Sequence, residues 1–387
     1  MSFSEQNLLD NQAFIMGGIE MVDTKRIVDK QDVIASINKL MGNLASIKDQ
    51  TGEYLLHFDG VVVDDKSWEV WNWPQGVGLY GIYNYWKSSN DSKAKQIMTD
   101  WYTKRLEEGA PPKNVNTMAP LLTLAYLYEE TKDQTYLPYL NAWADWVLYD
   151  MPRTREDGLQ HMTYGPENKN QLWDDTLMMT VLPLAKIGKL LHNQAYIEEA
   201  KKQFLIHIKY LSDRKTGLWY HGWTFEGDHH FAEALWARGN CWITIAIPEI
   251  IDMLDLPEGD FFREYLLETL TRQIESLKEY QHESGMWHTL INDRTSYLEA
   301  SATAGFAYGI LKSVHKRYIG AEYKEVALKA VHAIMEEINE QGALQKVSVG
   351  TGMGDTLDFY RQIPMTTMPY GQSLAILCLS EFLYSYC

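Results

Sequence analysis

The stretch TGLWYH, residues 216–221, decides how this chain is read. A polar residue and a glycine lead into an apolar and aromatic run that ends on a histidine, and the stretch lies between two segments with the 3.6-residue periodicity of helices. Related turns recur around Gly52 (TGEYLLH), Gly158 (DGLQH), Gly285 (SGMWH) and Gly342 (QGALQ). Successive glycines lie about 60 residues apart, and a double interval before Gly158 contains the prolines of PPKNVNT (111–117), which mark a further loop. Units of about 64 residues, six in all, would fill the chain, each a helical hairpin with one connecting loop.

Working outward from these turns, almost every segment reads as helix and almost none alternates as a strand would. The first stripe is Val33, Ile34, Ile37, Leu40, Met41 and Leu44. Further helices are expected at about 68–86, 91–108, 118–131, 134–149, 175–191, 195–211, 231–254, 260–279, 300–317, 321–340 and 370–386, about twelve in total. No Pro/Gly/Ser-rich linker or charge run interrupts the series. The expectation is therefore an all-α fold, an (α/α)6 barrel built as one domain over residues 1–387, with an open solenoid of the same hairpins as the alternative. Closure fits better because the recurring loops are rich in aromatic residues and histidine, whereas loops that merely connect helices are more polar.

Composition narrows the function. With 35 Lys+Arg against 52 Asp+Glu the formal net charge is −17, which repels a polyanion and argues against nucleic acid. No stretch approaches the roughly 20 apolar residues that span a bilayer, and MSFSEQNLLDNQ lacks the order of a secretory signal, so no membrane partner and a cytoplasmic location are expected. Cys241, Cys378 and Cys387 are too scattered for a disulfide framework or a closed zinc site; no metal and no cofactor are expected. The 13 Trp, 24 Tyr and 11 Phe supply core and also flat faces on which sugar rings stack.

Four segments carry candidate chemistry. In WEVWNWPQG (68–76), Trp68, Trp71 and Trp73 crowd a turn, either to stack on a sugar or to plug one end of the barrel. In QLWDDTLMM (171–179), Asp174 and Asp175 open an apolar helix; one suits a helix cap, and the other, among Trp173, Met178 and Met179, suits a desolvated acid/base carboxyl. In GLWYHGWTFEGDHH (217–230), His221 lies between Trp219 and Trp223 and reads as a hydrogen-bonding or core histidine, since His221, His229 and His230 lack metal-ligand spacing. In ALWARGNCW (234–242), Arg238 between Trp236 and Trp242 suits either a ligand carboxylate or a structural salt bridge.

Taken together, W-x-D-T-L (173–177), Y-H-G-W (220–223), W-A-R-G-N-x-W (236–242), E-x-S-A-T-A (299–304) and G-T-G-x-G-D (350–355) resemble the unsaturated rhamnogalacturonyl hydrolases of glycoside hydrolase family 105 and, more loosely, the unsaturated glucuronyl hydrolases of family 88. The resemblance implies an (α/α)6 barrel, a metal-free cytoplasmic enzyme, Asp175 as the catalytic carboxylate, and His221, Trp236, Arg238 and Trp242 as substrate contacts. Trp71 and Trp73 join them as stacking surfaces. A supporting polar group is expected near 114–117, where this chain has Asn114-Val115-Asn116-Thr117 and no carboxylate; Asn116 is the candidate. The segment departs from the family pattern at Cys241, in place of an expected Gly, with a shifted pocket wall as the expected result. The implied partner is an oligosaccharide ending in a 4,5-unsaturated uronic acid, hydrated at its vinyl ether. An epimerase or inverting glycosidase on the same toroid, or a saccharide-binding protein without catalysis, are the alternatives.

Overall fold

The computed structural model describes residues 28–58, 61–165 and 167–387. Among them, twelve principal helices alternate between an outer and an inner ring. The outer ring comprises α1 (Lys30–Leu44), α3 (Ser92–Glu108), α6 (Leu137–Asp145), α8 (Gln194–Leu211), α10 (Phe261–Tyr280) and α12 (Lys324–Glu336). The inner ring comprises α2 (Trp73–Ser89), α5 (Pro120–Thr131), α7 (Leu182–Leu190), α9 (Ala237–Met253), α11 (Ala300–His315) and α14 (Pro369–Tyr386). Two short helices, α4 (Val115–Met118) and α13 (Leu357–Arg361), lie in loops. Each inner helix packs on the next in the order α2, α5, α7, α9, α11, α14, and α14 packs back on α2, so the ring closes. The (α/α)6 barrel is therefore the fold, and the open solenoid is not. The expected single domain over 1–387 reaches into residues 1–27, which lie outside the described residues.

Burial separates the rings. Outer helices are amphipathic: α1 buries Val33, Ile37, Leu40, Met41 and Leu44 and leaves Ile34 half-buried at the edge of the stripe. Inner helices are covered on every side except at C-terminal turns such as Lys87–Ser89 of α2 and Glu129–Thr131 of α5, and in α9 all residues but Asp252 are buried.

The glycine turns explain the closure. After α8, Gly217 takes φ +77°, and a Cβ there would lie 2.8 Å from the Arg272 backbone of α10. After α12, Gly342 takes φ +77°, and its Cβ would lie 2.2 Å from the Lys39 carbonyl oxygen of α1. Each turn thus wedges against the next outer helix, and the last wedges against the first. Only glycine combines the left-handed backbone with that approach.

The sequence expectations miss mainly at helix starts. The helix expected at 231–254 begins at Ala237, because Phe231 and Glu233 adopt left-handed φ of 55° and 53°. The one expected at 175–191 opens with a wide turn over Leu177–Val181, in which the Leu182 N–H reaches the Leu177 carbonyl; Pro183, which follows, has no N–H to give. Three antiparallel ladders of two short strands each, β1 (Leu55–Phe58) with β2 (Val61–Asp64), β3 (Gln171–Trp173) with β4 (Gly222–Thr224), and β5 (Trp287–His288) with β6 (Leu298–Glu299), pass below the alternation signal.

Candidate active site

The N-terminal ends of inner helices α2 (Trp73) and α9 (Trp236, Arg238), with Asn116 and Asp175, line an open cleft of about 710 Å3, walled further by the β1–β2 hairpin and by loops 161–171 and 349–355. Positive ends of helix dipoles therefore face the cleft, a favourable field for an anion in a chain of net charge −17.

The β3–β4 ladder assembles its centre. Trp173 pairs with Gly222, and the Asp174 N–H donates to the His221 carbonyl at 3.1 Å, which brings the W-D-D and Y-H-G-W segments together. Asp175 lines the cleft with its side chain 19 % exposed. His221 stands behind it, 1 % exposed, with Nε2 3.6 Å from Asp175 Oδ2, too long for a formed hydrogen bond. The other ring nitrogen, Nδ1, lies 2.8 Å from the Tyr360 hydroxyl, and the ring packs on Trp236 and edge-on to Trp173.

Asp174 has no exposed surface, and neither carboxyl oxygen makes a hydrogen bond of normal geometry; the nearby donors are the backbone N–H groups of Asp174 and Asp175 themselves. It does not cap the helix, contrary to the expectation for one member of the pair. Gly239 leaves room for it: a Cβ there would sit 2.2 Å from Asp174 Oδ2. Burial, reinforced by the neighbouring Asp175 charge, pushes the Asp174 pKa well above the carboxylate range. Burial also opposes charge on Asp175, but the contacts with His221, and then His161 and Asp174, outweigh it and hold the group down at about 2. The two neighbouring acids are thus pushed apart in pKa, so that a proton bound to the pair is held more tightly by Asp174 than by Asp175. The expected raised pKa belongs to Asp174 and not to Asp175. Burial, only partly offset by Asp175, lowers the pKa of His221, so its ring is neutral.

Asp174, Asp175 and His221 form the one group of acids and histidines found among the described residues with ligand atoms within 4.8 Å of one another. Two of the three are sealed from the cleft, so the group reads as a proton-sharing pair with a histidine behind it.

Other expected contacts divide. Trp73, Trp236 and Asn116 line the cleft. Trp73 stacks on Tyr370 with centroids 4.7 Å apart. Asn116 is presented by α4, whose N-cap Asn114 accepts from the backbone N–H groups of Asn116 and Thr117. Trp71 does not face the cleft: its ring packs on Trp101 and Trp143, and its Nε1 donates to the Thr117 carbonyl at 2.8 Å. Trp68 likewise packs on Trp101, so these two rings serve the plug reading. Trp242 is fully buried beneath the edge of Trp73 and is a core residue, not a contact surface. Cys241 does not line the cleft; its side chain enters the α9–α11 contact, where Gly305 accommodates it.

Arg238 is corrected as well. It borders the cleft, but its fork is engaged within the protein. One terminal nitrogen donates to Ser348 Oγ at 2.6 Å and faces Glu299 Oε1 at 3.4 Å, and the other donates to the Val349 carbonyl and Thr351 Oγ1 at 3.1 and 3.0 Å. The guanidinium is sandwiched between Trp236 and Tyr370. It pins loop 348–351 to the cleft rim instead of offering a free bidentate fork. Glu299, N-cap of α11, completes the anchor by accepting from the backbone N–H groups of Ala302 and Ser348.

Three site residues escaped the sequence reading. His161 stacks on Trp173 at 4.2 Å with rings 5° from parallel, and burial lowers its pKa to about 4. Its place in the recurring DGLQH turn was the available signal. Tyr360 and Asp65 come from loops with no pattern to mark them.

Comparison with known proteins places this geometry. The family model described as Glycosyl Hydrolase Family 88 matches residues 46–386. The unsaturated rhamnogalacturonyl hydrolase YesR of Bacillus subtilis (strain 168) is 32% identical over 317 residues, 81% of this chain and 90% of that protein. Two crystal structures, each of a possible member of family GH105, one from Salmonella enterica serovar Paratyphi A and one from Klebsiella pneumoniae, are each 55% identical with a TM-score of 0.92, covering 94% of this chain and 96% of theirs. The motifs around Asp175, His221 and Arg238 all fall inside the matched span, and the chain belongs to glycosyl hydrolase family 88.

Proposed function

We propose that this protein removes the 4,5-unsaturated uronic acid from the non-reducing end of oligosaccharides by hydrating its C4=C5 vinyl ether. The observation that carries the reading is the carboxyl pair: Asp175 faces the cleft, while Asp174 behind it is sealed and makes no hydrogen bond of normal geometry. Such a pair holds a proton at neutral pH, which vinyl-ether protonation requires. An anionic substrate in the cleft disfavours charge on Asp175 and draws the shared proton toward it. Asp175 delivers that proton to C4; the oxocarbenium-like centre at C5 takes a water, whose proton returns to the pair; the resulting hemiketal opens and frees the next sugar. His221 positions Asp175 from behind, and Trp73, Trp236 and Trp173 supply faces for the ring. The relatedness to an unsaturated rhamnogalacturonyl hydrolase supports the substrate class.

Among the described residues no helix is long and apolar enough to cross a membrane. We read the protein as a cytoplasmic enzyme built as one catalytic unit, in keeping with its composition. The test is incubation with a panel of polysaccharide-lyase products: ultraviolet absorbance of the conjugated uronide should fall as a new aldehyde appears. Binding without that loss would overturn the hydrolase reading in favour of a saccharide-binding role.

A further inference from the structure

The cleft poses an electrostatic problem. The proposed substrate carries a carboxylate, yet the lining contains the carboxyls of Glu53, Asp65, Asp175 and Asp355, and its one Lys or Arg side chain among the described residues, Arg238, already spends its terminal N–H groups on the protein. Arg238 is also neutralised by Glu299. Asp175 is neutral once it takes up the shared proton, but a fixed negative charge on another carboxyl beside the ligand's carboxylate would still oppose binding.

Asp65 is placed to be that carboxyl. It follows β2, borders the cleft, and among the described residues has no hydrogen-bond or ion-pair partner, unlike Asp64 beside it, which accepts from the backbone N–H groups of Asp49 and Lys66. Its Oδ2 would lie 3.6 Å from a Cβ at Gly350, on the loop that Arg238 pins. Resting on the function proposed above, we infer that Asp65 is a specificity residue that binds the uronate in its protonated form, donating an O–H···O− hydrogen bond to the substrate carboxylate. Uptake of one proton accompanies binding, and no bond to carbon changes. The groups that act on Asp65 are Asp64 on its own hairpin, Arg238 at the start of α9 with Glu299 behind it, and Tyr370 at the start of α14; Asp355 lines the same cleft. Its half-buried position and then the Asp64 charge raise its pKa to about 6, while Arg238 pulls the other way. A carboxyl so poised is half neutral near that pH, and its O–H···O− contact is among the strong, short hydrogen bonds.

The sign follows directly. Below about pH 6 the free enzyme holds the proton and binds the uronide; above it, binding must first take up a proton, so KM should rise roughly tenfold per pH unit. The experiment measures KM from pH 5 to 8 on an unsaturated disaccharide. Wild type should show the rise; Asp65→Asn, a permanent neutral donor, should show a flat KM, and Asp65→Glu should restore a slope. Calorimetric binding of the same disaccharide to Asp175→Asn, in buffers of different ionisation enthalpy at pH 7, should report uptake of about one proton, which vanishes when Asp65→Asn is added. A flat wild-type KM, a slope that survives Asp65→Asn, or binding without proton uptake overturns the inference. Absence of turnover in wild type strikes instead at the hydrolase reading, and the calorimetric result still decides the role of Asp65.

Discussion

Two buried acids lie toward opposite ends of the barrel, and their surroundings differ completely. Glu249, in the C-terminal half of α9, accepts from the Tyr80 hydroxyl at 2.6 Å, from Lys312 Nζ at 2.7 Å, and from the Tyr308 hydroxyl. Asp174, beside the start of the same helix, makes no hydrogen bond of normal geometry and has only its own and the Asp175 backbone N–H groups near it. A carboxylate with three donors is paired and holds helices α2, α9 and α11 in place; a carboxyl without a well-formed hydrogen bond keeps its proton and can share it. Full burial alone therefore does not separate structure from chemistry. The count of well-formed hydrogen bonds does.

The largest effect should come from the exposed partner of the empty pair. Asp175→Asn should lower kcat by several orders of magnitude with the fold intact, because an amide neither delivers nor recovers the proton. A steady-state assay with circular dichroism as control decides it, and near-normal kcat would break the contrast at its functional end.

At the other end, Glu249→Ala leaves Lys312 buried beside Asp252 alone and should cost about 3 kcal/mol of stability, read as a lowered denaturant midpoint, while kcat changes little. A large kcat loss in a folded variant would show that the two ends are not separate in role.

Asp174→Asn sharpens the comparison further. The amide can still donate to Asp175 but holds no titratable proton, so kcat/KM at pH 7 should fall by roughly 100-fold, with the basic limb of the profile moved to lower pH. Stability should also change its pH dependence. A carboxyl with a raised native pKa makes the folded state bind more protons than the unfolded one, so wild-type stability declines as pH rises above about 4. That decline should shrink in the variant, as urea titrations at pH 4, 6 and 8 would register.

The smallest effect expected is that of chelation. If Asp174, Asp175 and His221 share a proton and hold no cation, dialysis against EDTA should leave kcat within error. Loss of turnover restored by an added divalent ion would assign these residues to a metal.

Much of this architecture was legible from residue order. The spacing of Gly158, Gly217, Gly285 and Gly342 announced a six-hairpin ring; Gly217, Gly285 and Gly342 mark places where backbone must approach backbone, and Gly158 one where side chains of the next segments press in. Amphipathic stripes such as Val33 to Leu44 and the continuous apolar run of α9 separated outer helices from inner ones, because burial on one side or on all sides leaves different periodicities. Asp175, Trp236, Trp73 and Asn116 were found through local motifs and do line the cleft.

What residue order did not reveal depends on partners distant in the chain. Trp71, Trp73 and Trp242 look alike in sequence, but whether a ring faces sugar or core depends on which helices surround it. Arg238 has the local frame of a ligand contact; the acceptors that occupy it come from residues 299, 348, 349 and 351. The adjacent aspartates differ only in the β3–β4 pairing and in the closeness of Gly239, which seals one and leaves the other in the cleft. Charge state, exposure and hydrogen-bond capacity are properties of an environment, and only the closed barrel assembles that environment.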